Sequence, residues 1–154
     1  MIQIINGDIF KVKDIEVVIH QANCFCKMKS GIAKTISEIY PEAIKADNAT
    51  VAGDDKKLGT FTYAVCDNNK IIVNMYSQYG YGRNDVYTEL EAMETALEKI
   101  FTMFSTHKLA IPYGIGCGLG GEKWSNVFEV IKKVHDKLKD DGIEVDIKIV
   151  RLVK

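Results

Sequence analysis

Four side chains able to move a proton, anchor a hydroxyl or bind a metal crowd one short stretch, "IHQANCFC" (Ile19–Cys26): His20, Asn23, Cys24 and Cys26. An imidazole titrates near neutral pH and suits general acid–base work. It suits equally a hydrogen-bonded place in a core, because His20 ends an apolar run. A zinc ion would need a fourth ligand beside His20, Cys24 and Cys26, and the spacing supplies none, so no metal is expected. Asp8 in "NGD" is able to accept a hydrogen bond from an exocyclic amine or to close an Asx-turn. The stretch "IPYGIGCGLGG" (Ile111–Gly121) carries five glycines in its last eight residues and precedes a helical pattern. Strand, glycine loop and helix together are an arrangement in which backbone N–H groups receive phosphate. The loop matches neither GxGxxG nor GxxxxGK[ST], so a tight connection is the competing explanation.

Two further segments follow strands. In "KMKSGIAKTI" a helix begins near Ser30-Gly31, with the Ser30, Gly31 and Ile32 amides at its start and Ser30 as the natural N-cap. In "YSQYGYGRND" the tyrosines at 76, 79 and 81 and Arg83 form either a lid over an anionic sugar phosphate or an exposed loop.

Elements must bring these segments together. Strand-like runs are Ile2–Ile5, Glu16–His20, Thr60–Val65, Ile71–Met75, Leu109–Ile111 and Val145–Leu152. Helical stripes fill the gaps: Ile32, Ile36, Ile39 and Tyr40, interrupted by Pro41; Leu90, Met93, Leu97, Ile100 and Phe104; and Trp124, Val127, Ile131, Val134 and Leu138. Gly142 ends the last of these. The alternation predicts an α/β fold, a three-layer α/β/α domain over residues 1–154 with a mixed, mostly parallel sheet, its ligand at the carboxyl ends of the strands. A chain of 154 residues, 47% hydrophobic and 27% charged, fits one globular domain. A net charge of −1 argues against a general grip on nucleic acid. There is no leader-like start and no apolar run of membrane length, and four cysteines without a CxxC pair suit a reducing cytoplasm.

Taken in this order, the segments resemble a macro domain, the ADP-ribose-binding fold. The resemblance runs from "NGDIF" through "IHQANC", "MKSGIA", "YPEA" and "LGT" to "YGIGCGLGGEKW" and "VDIKIV". It implies that Asp8 and the Ile9 amide bind adenine and that Ala22 and Asn23 meet the distal ribose. Ser30, Gly31, Ile32 and Ala33 would wrap one side of the diphosphate, and Ile115, Gly116, Cys117, Gly118, Leu119 and Gly120 the other, with Tyr79 and Arg83 as a lid. The nearest branch holds ADP-ribose-1″-phosphate phosphatases, whose histidine before the Asn-Cys loop is matched by His20, together with a terminal ADP-ribose protein glycohydrolase. The resemblance thus implies metal-free hydrolysis of ADP-ribose 1″-phosphate with His20 as catalytic group and no cofactor. The alternatives are removal of ADP-ribose from protein or nucleic acid, or binding of ADP-ribose without turnover. ADP-ribose or a derivative is the expected ligand of a monomeric protein with no membrane partner. Three departures stand out. Gly120 replaces the aspartate that the glycohydrolase carries after its GCGL, and "SQYGYGRND" lacks its lysine. Lys29 stands where the family usually has glycine.

Overall fold

The computed structural model describes residues 1–153. Val17–Ala22 (β2) is buried along almost its whole length because both of its faces are covered, the setting of a central parallel strand. It lies between Ile71–Tyr76 (β4) and Lys108–Pro112 (β5) in a six-stranded sheet of order β1-β6-β5-β2-β4-β3, where β1 is Ile2–Asn6, β3 Phe61–Val65 and β6 Asp146–Arg151. Every neighbouring pair is parallel except β3 with β4, joined by a short turn through Asp67–Asn69.

Strand parity divides the core into two layers. Val17 and Ile19 face Leu90–Met103 (α3) and Trp124–Asp140 (α4), with Met93, Leu97, Ile100, Val127, Ile131 and Val134 buried against them. Val18 faces the other way, toward Gly31–Ile39 (α1) and Pro41–Asn48 (α2), where Ile36 and Ala43 are buried. Pro41 starts α2 instead of ending the structure, since a missing N–H costs nothing in a first turn. The stripe predicted for α1 holds at Ile36 but not at Ile39, which is exposed because the chain turns at Tyr40 before Ile39 can reach the sheet. Gly142, at φ +82, closes α4 as expected.

The order of the strands fixes where a ligand can sit. The chain leaves β4 through α3 and crosses over β2 to build β5, so the carboxyl ends of β4, β2 and β5 stand side by side. The loops that follow them therefore converge, as the switch-point rule predicts.

Candidate functional site

A cavity of about 710 Å³ opens at that junction, walled by residues 21–23 and 27–33 at and after the end of β2, 78 and 81–83 after β4, 112–116 and 118–120 at and after the end of β5, and Asp47 of α2. A second cavity, of about 480 Å³, lies beside β1 and β6 and is lined by Gly7, Asp8, Ile9, Phe10, Val150 and Leu152. Gly31, Ile32, Pro112 and Tyr113 line both. The two are the ends of one cleft with α1 and the glycine loop at its waist.

Unmet donors face each other across that waist. Ser30 occupies the N-cap position of α1, but its side chain makes no capping bond. The first hydrogen bond inward is from the Lys34 amide to Ser30 O, so the N–H groups of Gly31, Ile32 and Ala33 have no acceptor in the helix. In the loop opposite, the Ile115 and Cys117 amides close turns onto Pro112 O and Gly114 O. The amides of Gly116, Gly118, Leu119 and Gly120 have no backbone acceptor among the described residues. Two sets of free N–H groups, one at a positive helix end, form a cradle for a dianionic group.

The loop is held from behind by a polar chain. Ser77 Oγ donates to Gln21 Oε1 at 2.6 Å, Gln21 Nε2 donates to Thr88 Oγ1 at 2.9 Å, and Thr88 Oγ1 donates to Gly116 O at 2.8 Å. Gly120 O accepts from the Tyr87 and Thr88 amides.

No protein-family model matches the chain. It is 29% identical over 150 residues to an uncharacterized 17.5 kDa protein from the tk-vs intergenic region of Enterobacteria phage T4, covering 90% of this chain and 93% of that one. The macrodomain of Mycobacterium tuberculosis DarG superposes with a TM-score of 0.77 at 20% identity, over 100% of this chain and 99% of that structure. Thermosipho africanus DarTG, solved in complex with ADP-ribose, gives 0.71 at 18% identity over 96% of this chain and 40% of its own. The fold is that of a macrodomain.

The macrodomain cleft gathers most of the residues singled out in the sequence. Ala22, Asn23, Ser30, Gly31, Ile32, Ala33, Ile115, Gly116, Gly118, Leu119, Gly120 and Arg83 line the large end, and Asp8 and Ile9 the small one. Asp8 does close a turn, accepting the Phe10 amide at 2.9 Å, but through Oδ1 alone. Asn23 spends much of its amide on its own loop, accepting the Phe25 N–H at 2.9 Å and donating to Lys27 O at 2.8 Å.

Three assignments need correction. Cys117 is absent from the wall: its thiol turns back toward Ile115 O and packs against the α3–α4 core, and its amide is used in a turn. Tyr79 is no lid, since its hydroxyl donates to Gly53 O and its ring stands edge-on to Phe25. Tyr81 takes that place beside Arg83, whereas Tyr76 is buried. His20, finally, is wholly buried beneath α2 and lines neither cavity. It shares the parity of Val18, so it faces the α1–α2 layer. Asn74 donates Nδ2 to Ala43 O and Thr62 Oγ1, which leaves its Oδ1 as acceptor for His20 Nε2–H at 2.6 Å. No contact with a ligand in the cleft is open to that imidazole.

Burial lowers the His20 pKa from its ordinary 6.5, outweighing the bond to Asn74 and the nearby Asp47 charge. A histidine with a lowered native pKa is protonated first in the unfolded chain, so its stabilising contribution is complete above pH 6.5 and lost as pH falls below it. Melting temperature is accordingly expected to fall between pH 7 and pH 5.5, values bracketing the free imidazole pKa of roughly 6.5, and to fall less in a folded His20→Gln variant. Equal slopes in the two proteins would show that His20 does not carry the effect.

The wall also contains residues that sequence reasoning passed over. Gln21, Gln78, Asp47 and Lys27 line the large end, where they are joined by Lys29, the departure already noted in the sequence. The two lysines and Arg83 are exposed and pair with no carboxylate among the described residues. Among the described residues no helix is long and apolar enough to cross a membrane.

Proposed function

We propose that this macrodomain binds an ADP-ribosyl ligand that carries a further phosphate at its distal ribose, and hydrolyses ADP-ribose 1″-phosphate. The reading rests above all on the cleft waist, where the Gly31–Ala33 amides oppose the amides of Gly116 and Gly118–Gly120. A diphosphate is the dianion that fits between them. The small end, with a carboxylate and the unpaired Ile9 amide, matches the edge of adenine, and the large end has room for a sugar. Lys27, Lys29 and Arg83 ring the large end and would complement a second phosphate. One neighbour of the same fold was solved with ADP-ribose, which favours the same ligand class here.

Calorimetry in EDTA tests the pocket. ADP-ribose is expected to bind without a divalent ion, because amides replace the cation, and ADP-ribose 1″-phosphate to bind more tightly. Asp8→Ala is expected to weaken binding by about 1–3 kcal/mol, the range for a lost charged hydrogen bond. No ADP-ribose binding by the unmutated protein would end this reading. The burial of His20 favours a second reading, a reader that binds without turnover. Phosphate release from ADP-ribose 1″-phosphate separates the two.

A further inference from the structure

Asp47 is an unusual residue in the cleft. It lies in the last turn of α2 and is 1% exposed, yet it forms part of the large cavity's wall. It is the one carboxylate in that wall among the described residues. The Tyr76 hydroxyl donates to its Oδ1 at 2.7 Å, and Tyr76 is fixed in turn by Thr62 Oγ1 at 2.9 Å. Oδ2 has no partner among the described residues, yet it is not among the sealed, unsatisfied atoms, which are His20 Nδ1 and His135 Nε2. No lysine or arginine pairs with Asp47 among the described residues. Lys57, the buried ammonium nearby, donates instead to Cys24 O at 3.2 Å and lies over the Tyr76 ring. A buried carboxylate without an ion-pair partner is costly, and such groups in clefts are functional-site candidates.

We propose that Asp47, which lines the cavity, performs the proton transfer expected of His20, which lines none. The inference rests on the reading of the cleft as an ADP-ribose 1″-phosphate site. Water in the large cavity attacks the terminal phosphorus, and Asp47 Oδ2 takes one of its protons as the new P–O bond forms. The bond between phosphorus and the ribose O1″ breaks, its electron pair stays on O1″, and Asp47 returns the proton there. ADP-ribose and inorganic phosphate leave, with the carboxylate regenerated. Tyr76 acts as a positioning residue that keeps Oδ1 occupied and Oδ2 toward the cavity, while Lys29 and Arg83 face the phosphoryl charge.

The test is the Asp47→Asn variant, which can keep the Tyr76 bond through its amide oxygen. ADP-ribose affinity by calorimetry and the KM for ADP-ribose 1″-phosphate are expected to stay within about threefold, while kcat falls about a hundredfold or more, as for loss of a positioned acid–base group. Tyr76→Phe, which leaves the carboxylate but frees it to turn, is expected to lower kcat about tenfold at unchanged ADP-ribose affinity, and it decides the matter if Asp47→Asn does not fold. Undiminished kcat in the folded Asp47→Asn protein, or in Tyr76→Phe if that is the only folded variant, overturns the proposal. So does an unmutated protein that binds ADP-ribose but releases no phosphate, a result that leaves the binding site standing. Failure to bind ADP-ribose at all would instead remove the cleft reading and this proposal with it.

Discussion

Gly118→Val is expected to abolish ADP-ribose binding while leaving the protein's melting temperature nearly unchanged. Gly118 lines the large cavity, its φ is not in the left-handed region, and a Cβ built on it meets nothing within 4 Å. Nothing in the unliganded fold therefore requires glycine there. What does require it is a ligand lying against the backbone, which branched carbons would hold away from the Gly118 and Leu119 amides. A loss of at least a hundredfold, roughly 2.7 kcal/mol, is expected in calorimetry. The change in stability should stay within about 1 kcal/mol, or roughly 2–4 °C for a chain of this size. Normal affinity in this variant would mean that the loop is a connection and the diphosphate lies elsewhere.

Two residues further on, the same substitution logic gives the opposite result. Gly120→Ala is expected to destabilise the fold, because its Cβ would stand 2.5 Å from both Gly116 O and Thr88 Oγ1. The first is backbone and the second is pinned by Gln21 and Gly116, so neither can yield cheaply. Overpacking of this kind costs about 1–3 kcal/mol or more, and the melting temperature should drop by roughly 5–10 °C. Binding should weaken along with it, because the Gly116 amide moves with its carbonyl. A Gly120→Ala protein as stable as the original would mean that the polar chain behind the loop is not rigid. The same contacts leave no room for an aspartate side chain at this position. The departure noted in the sequence is enforced by Thr88.

The contrast between these glycines marks where sequence reading succeeds and stops. Periodicity locates β2, α3 and α4 well, since Val17–Ile19 is an apolar β-branched run and the α4 stripe repeats over several turns. The strand, glycine loop and helix motif locates the cleft, because the chemistry of free amides is local. Which glycine stands open at the cleft and which packs against Thr88 depends on a residue some thirty positions away, and no spacing reveals it. His20 was placed by its neighbours in sequence, but strand parity sends it under α2 while Gln21, one residue later, reaches the cleft. Asp47 lay beyond reach for the same reason: a carboxylate late in a polar helix reads as surface, and only the packing of α2 beside Tyr76 brings it to the cavity. Tyr81 and Tyr79 differ in place because the Tyr79 hydroxyl is taken by Gly53 O, whereas Tyr81 reaches the cavity wall.

The pairing of β1 with β6 also governs the order in which the molecule is assembled. Ile2 sits against Ile147, so the first strand made waits for the last one before it has a partner. Contacts of such long separation close slowly, because the loop entropy must be met before they return anything. While the chain is being synthesised, β2, β4 and β5 can join with α3 and the large end of the cleft can take shape, but the pocket beside Asp8, which borrows Val150 and Leu152, has no second wall. The cleft is therefore completed only at the end of folding, and a nascent chain lacking β6 presents the free amides of the large end without the wall that closes the small one.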